Sequence, residues 1–131
     1  MIEPDAATFL AEHQWAVFST GRRNGSPQSS LIGYFWDGED VVLTFRRSSA
    51  KYHNITRQPR VVMVVPDGRK AVTVYGDGEL VEQDPARVDA YAAIVASFGA
   101  PEAPRGELVR RLDEEDRVIL RIHPTTTMLN G

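Results

Sequence analysis

Residues 40–65 read DVVLTFRRSSAKYHNITRQPRVVMVV, and the order of the parts in this stretch decides the fold. Asp40 to Phe45 is β-branched and aromatic, which predicts a strand. Ala50 to Arg57 has the composition of a short helix, and Pro59 stops it because proline has no N–H to continue the ladder. Arg60 to Val65 is apolar without alternation, the pattern of a central strand covered on both faces. Two arginines, two serines and a lysine (Arg46, Arg47, Ser48, Ser49 and Lys51) therefore fall where a strand hands the chain to a helix.

Upstream, Asp5 is placed to cap a short helix running to Glu12. Trp15 to Thr20 and Gln28 to Trp36 read as strands joined through Gly21 to Pro27, where Asn24 and Gly25 tolerate positive φ. A turn at Asp37-Gly38 leads into Val41 to Phe45, so three antiparallel strands precede the basic junction. Downstream, Pro66-Asp67-Gly68 turns the chain into Ala71 to Tyr75. Gly76-Asp77-Gly78 then interrupts before Glu79 to Glu82, as in a bent or bulged strand. Asp84 reads as an N-cap with Pro85 at the first helical position, and Val88, Tyr91, Ala92, Val95 and Phe98 repeat at helical spacing up to Gly99. Ala100 to Pro104 is a loop, Glu107 to Leu112 makes one or two helical turns, and Arg117 to His123 forms a last strand. The small, polar tail Thr125 to Gly131 is expected to order only against a partner.

Successive hairpins with a single crossing helix late in the chain predict a mainly β, α+β fold: an antiparallel split barrel of about six or seven strands with two or three helices. A length of 131 residues suits a single domain spanning 1–131.

Composition removes several function classes. No apolar run approaches the ~20 residues needed to cross a bilayer. The acidic start MIEPDAATFL is unlike a secretory leader, so a cytoplasmic protein with no membrane partner is expected. The chain has no cysteine, which excludes disulfides, thiolate nucleophiles and Cys-ligated metals, and leaves redox chemistry to a bound cofactor. A net charge of −3 opposes general nucleic-acid binding. His13, His53 and His123 follow no metal-ligand spacing, and no G-x-S-x-G elbow is present. The run from Asp113 to Asp116 reads as a solvated turn. The stripe from Val88 to Phe98 reads as a core-facing or dimer-facing surface.

The junction is the chemical signal that remains. Ser48 and Ser49 stand at the helix start, where their hydroxyls and the free N–H groups of the first turn converge on a spot that attracts anions. Lys51 adds a point charge from the first turn, and Arg46 and Arg47 enter from the strand with donors suited to phosphate or carboxylate. The same residues also fit a capped helix with surface arginines, and taken alone they leave both readings open.

In order along the chain, these pieces resemble the pyridoxamine 5′-phosphate oxidase-like split β-barrel superfamily. The likeness rests on Phe18-Ser19-Thr20 with Asn24 to Pro27, on Phe35 to Gly38, on Ser49 to Ile55 with Gln58 to Val61, and on Val74 to Val81. The resemblance implies a homodimer with two cofactor sites at its interface, each holding the cofactor phosphate at the junction. By position it implies that Ser49 and Lys51 bind phosphate, that Thr44 touches the cofactor from the third strand, and that Ser30, Leu31 and Ile32 lie along the ring system. Arg46, Arg47 and Ser48 join the cofactor set by charge and place. Where the pyridoxamine phosphate oxidases carry Ser-Arg-Lys this chain has Ser49-Ala50-Lys51, which looks more like the branch that binds the deazaflavin F420. The implied activity is hydride transfer from reduced deazaflavin to a conjugated small molecule, with tetrapyrrole-like compounds among the candidates and Tyr34, Tyr52, His53 or solvent supplying the proton. The alternatives it leaves are an FMN-dependent oxidoreductase of the same fold and a non-catalytic cofactor or tetrapyrrole binder.

Overall fold

The computed structural model describes residues 2–131. Seven strands form one antiparallel sheet in the order β2-β1-β5-β6-β7-β4-β3. They are β1 (Trp15–Gly21), β2 (Pro27–Gly33), β3 (Phe35–Trp36), β4 (Val41–Arg46), β5 (Arg60–Asp67), β6 (Lys70–Val81) and β7 (Arg117–Asn130). The sheet curls into a half-barrel with four helices around it, α1 (Pro4–Ala11), α2 (Ala50–Arg57), α3 (Ala86–Ser97) and α4 (Arg105–Glu114). β4 and β5 are consecutive in sequence yet lie far apart in the sheet, so the chain must leave β4 and cross to the neighbour of β1. α2 makes that crossing.

The concave face is the core. Phe18, Leu43, Met63, Val65, Val72, Val74, Leu120 and Ile122 are essentially inaccessible there, and Ala6 and Leu10 of α1 and Ile55 of α2 close it. Ala90 and Ile94 of α3 pack on the opposite face against Val42 and Ile119, and Val88 meets Leu108 and Leu112 of α4. The rest of the convex face is open: Leu31, Val17, Val64, Thr73 and Met128 stand in register on five strands, with Leu31 70% and Met128 48% exposed. No helix among the described residues is long and apolar enough to cross a membrane.

Several local expectations are corrected. There are four helices because residues 105–114 form a full ten-residue helix, seated by Leu108 and Leu112 and laced by Arg110 and Arg111 with Glu107 and Glu114. α1 begins at Pro4 with Glu3 at the cap position, which places Asp5 in the first turn. α3 begins at Ala86, although the Asp84 carboxylate still accepts the Val88 N–H at 3.1 Å. The expected strand Gln28 to Trp36 divides at Tyr34, whose buried hydroxyl donates to the Leu10 carbonyl at 2.7 Å, and β3 then pairs with β4. β5 lies third in the sheet and buries only Val61, Met63 and Val65, leaving Val62 and Val64 half-buried on the open face.

β6 runs unbroken for 12 residues, and its register with β7 shifts between Tyr75 and Gly76, as the bulge reading expects. A Cβ at Gly76 would fall 2.6 Å from the His123 carbonyl oxygen, so the close strand approach requires glycine. The tail does not wait for a partner. Thr125 to Asn130 continue β7, and Thr126 to Asn130 pair with residues 71–75 of the same chain, as the β-branched run favours.

Beside this bulge His123 of β7 joins β6 to the loop that enters β4. Its Nδ1 lies 3.0 Å from Asp40 and its Nε2 2.8 Å from Glu79. With a carboxylate at each nitrogen, the doubly protonated ring is favoured, and its pKa is raised by Glu79 first and Asp40 second. A raised folded-state pKa contributes stability that is fully present below the ordinary histidine value and is lost as pH rises through the folded value. The Tm gap between the parent and His123→Asn is accordingly expected to be larger at pH 5.5 than at pH 8.5. Equal gaps at the two pH values would show that the imidazolium pairs contribute nothing.

Candidate functional site

Strand β4 ends by folding its last carbonyl into a turn. The Arg46 carbonyl accepts the Ser49 N–H at 3.0 Å and the Ser49 hydroxyl at 2.7 Å, while Ser49 Oγ accepts the Tyr52 N–H at 3.4 Å. Ser49 is therefore the N-cap of α2, and its hydroxyl is engaged within the turn. The N–H groups of Ala50 and Lys51, in the first turn, have no intrahelical partner by the geometry of a helix start. Ser48 is exposed beside them and Lys51 is half-buried.

The cations of the junction differ in their partners. Arg47 is locked: Nε donates to Glu82 at 2.9 Å, Nη1 donates to Asp116 at 2.5 Å, and its backbone N–H donates to the Asp116 carbonyl at 2.9 Å. Glu82 and Asp116 hold the guanidinium even more firmly charged than usual. Arg46 makes a longer contact to Glu115 at 3.3 Å, and Glu115 is shared with Arg117 at 2.9 Å. Among the described residues Lys51 makes no ion pair, so it is the junction's uncommitted positive charge.

The other expected cofactor residues are distributed over two faces. Thr44 sends its hydroxyl to the Val118 carbonyl at 2.8 Å, inside the β4–β7 pairing. Ser30 and Ile32 stand opposite Phe18 and Ala16 on the concave face of the edge strand β2, whereas Leu31 stands opposite Val17 on the open convex face. What links β2 to the junction is Asn54, a residue 6% exposed. Its amide donates to Thr20 at 3.0 Å and to Gln28 at 2.9 Å, and Gln28 shares its face of β2 with Ser30.

Two residues that the sequence reading left without a role therefore organise the site. Asn54 stood inside the stretch Ser49 to Ile55, but nothing local revealed that it reaches β1 and β2. Glu82 was read only as the last residue of the strand from Glu79, whereas β6 ends at Val81, and its contacts are 30 and 35 residues distant. Of the candidate proton donors, Tyr34 is sealed in the core, where burial pushes its phenol far up. Tyr52 donates to Glu82 at 2.9 Å, and His53 is exposed on α2. Among the described residues no group of three or more acidic, histidine or cysteine side chains could hold a metal.

On the α3 side, a groove of about 480 Å³ is lined by Phe35, Val42, Val81 and Ala90 with Asp37, Glu79 and Arg121. Arg121 is pinned there by Asp37 at 2.6 Å and Asp40 at 3.3 Å.

A family model described as pyridoxamine 5′-phosphate oxidase matches residues 2–129. Among solved structures, a conserved hypothetical protein from Mycobacterium tuberculosis is similar at a TM-score of 0.85 and 23% identity, covering 100% of this chain and 85% of that one. An F420 reductase is similar at a TM-score of 0.74 and 28% identity, covering 92% and 94%. The heme storage protein HutZ from Vibrio cholerae is similar at a TM-score of 0.72 and 20% identity, covering 98% and 94%. A search of curated proteins returned no match.

Proposed function

The chain belongs to the pyridoxamine 5′-phosphate oxidase family, and from that premise we propose that it is a reductase using the deazaflavin F420. FMN is the alternative cofactor on the same scaffold. The likeness to an F420 reductase at 28% identity over nearly the whole of both chains carries this choice.

The donor set at the junction fits a cofactor phosphate. Lys51 offers an ammonium without an internal partner, Ser48 an exposed hydroxyl, and Ala50 and Lys51 two backbone N–H groups at the positive end of α2. Arg46 is the side chain that could turn to a further carboxylate, since its contact to Glu115 is long and exposed. Ser30 and Ile32 offer the edge of β2 to the ring system. Bound and reduced, the deazaflavin supplies the hydride, and the chain supplies orientation and electrostatics. Tyr52 or His53, both at the start of α2, or solvent, delivers the proton.

The working form in this reading is a homodimer with its cofactor sites at the interface. The registered apolar row Leu31, Val17, Val64 and Met128 supports it, since a face of this kind is normally covered. The acceptor is a conjugated small molecule of the tetrapyrrole kind.

The test is anaerobic mixing of reduced F420 with a bilin-type acceptor in the presence and absence of the protein. Protein-dependent oxidation of the deazaflavin is expected. Turnover with reduced FMN alone would move the assignment to the flavin, and turnover with neither would remove the reductase reading.

A further inference from the structure

Glu82 grips the anion-facing segment from both sides. One oxygen of its carboxylate, Oε1, accepts Arg47 Nε at 2.9 Å and the Tyr52 hydroxyl at 2.9 Å. Arg47 immediately precedes Ser48, and Tyr52 immediately follows Lys51, so the two contacts bracket residues 48–51. The side chains of Glu82 and Arg47 are about one-third exposed, and this ion pair is better sheltered than the one between Arg46 and Glu115. On the far side Asp116 holds Arg47 through both its carboxylate and its backbone carbonyl.

From this arrangement we infer that Glu82 is a positioning residue for phosphate binding: it fixes Ser48, Ala50 and Lys51 by clamping the residues on either side of them. The inference rests on the phosphate reading of the junction given above. A positioning role and a simple charge effect predict opposite signs. Glu82 carries a negative charge close to the proposed anion, so if charge alone mattered, removing it would strengthen phosphate binding. If position dominates, removing it lets the segment move and weakens phosphate binding although the field becomes more favourable.

The test compares ligands with and without the phosphate: FMN against riboflavin, and F420 against its phosphate-free deazaflavin core. Glu82→Leu is expected to weaken binding of the phosphate-bearing member of each pair about tenfold and to leave the phosphate-free member within about twofold. Glu82→Gln, whose amide oxygen can still accept from both donors, should fall between Glu82→Leu and the parent. Tyr52→Phe, which releases one side of the clamp and alters no charge, should lower the same preference by a smaller factor. Thermal unfolding of each variant gives the folded fraction, and a loss of stability alone would weaken both members of a pair alike.

Tighter phosphate binding by Glu82→Leu, an unchanged preference, or equal weakening of both members would overturn the inference. A parent that makes no distinction between the paired ligands would overturn the phosphate reading itself, and the inference with it.

Discussion

Replacing Lys51 with alanine is expected to weaken F420 binding by about 1.5–3 kcal/mol, roughly ten- to a hundredfold, the range for a charge-assisted contact. The size of the effect follows from what surrounds the ammonium. Arg47 is already taken by Glu82 and Asp116, and Arg46 by Glu115, whereas Lys51 has no carboxylate partner among the described residues. Alanine therefore removes the uncommitted charge and leaves the arginines satisfied. Ala50 and residue 51 would keep their N–H groups, so some affinity should survive. The loss should shrink at high salt, because screening weakens the contribution that alanine deletes. Lys51→Arg should recover part of it. Titration of parent and variant at two salt concentrations checks the expectation, and a change below about twofold, the scale of surface charge effects, would contradict it.

The second large effect concerns stability. Leu120→Ala is expected to cost about 3 kcal/mol, within the usual range for a buried leucine, and to lower Tm by about 10 °C. Leu120 is fully buried between Leu43 of β4 and Leu80 of β6, with which it stands in register. Its Cδ1 lies 2.9 Å from where a Cβ on Gly78 would be, and Ile55 of α2 reaches the same spot at 3.6 Å. The cavity would thus open under the seat of the crossing helix. Cofactor affinity should fall less than in Lys51→Ala, because the hydrogen bonds that shape the junction run through Ser49, Arg46 and Asp116 and not through Leu120. Denaturant unfolding measures this, and a cost below about 1 kcal/mol would mean that the site collapses around the smaller side chain.

The fold was legible where local pattern and sheet geometry agree. Residues 40–65 read correctly as strand, helix and strand, because β-branched runs, a capping serine and a stopping proline act locally. The bulge at Gly76 was legible for the same reason, since two glycines interrupt a strand that continues. The division of the second strand at Tyr34 was hidden, because it follows from a buried hydroxyl bonded to a carbonyl 24 residues away. The length of α4 was hidden because its six charged residues and one glycine out of ten conceal the two leucines that seat it.

At the candidate site the legible part was the cap. Ser49 sits where a capping residue is expected. What could not be read was which charges are already committed. The partners of Arg46 and Arg47 lie 35 to 69 residues further along the chain, and only the curled sheet brings them near. Asn54 is similar: its type suits a helix surface, yet it is buried as the tie between α2 and β2.

Whether the junction holds a cofactor phosphate at all is tested by the parent arm of the Lys51 titration, run with F420 and FMN side by side. Trp15 and Trp36 emission and cofactor fluorescence report binding. Saturable binding of both phosphate-bearing cofactors is expected, with F420 bound more tightly. Binding of neither would contradict it, and would leave the junction an ordinary capped helix start.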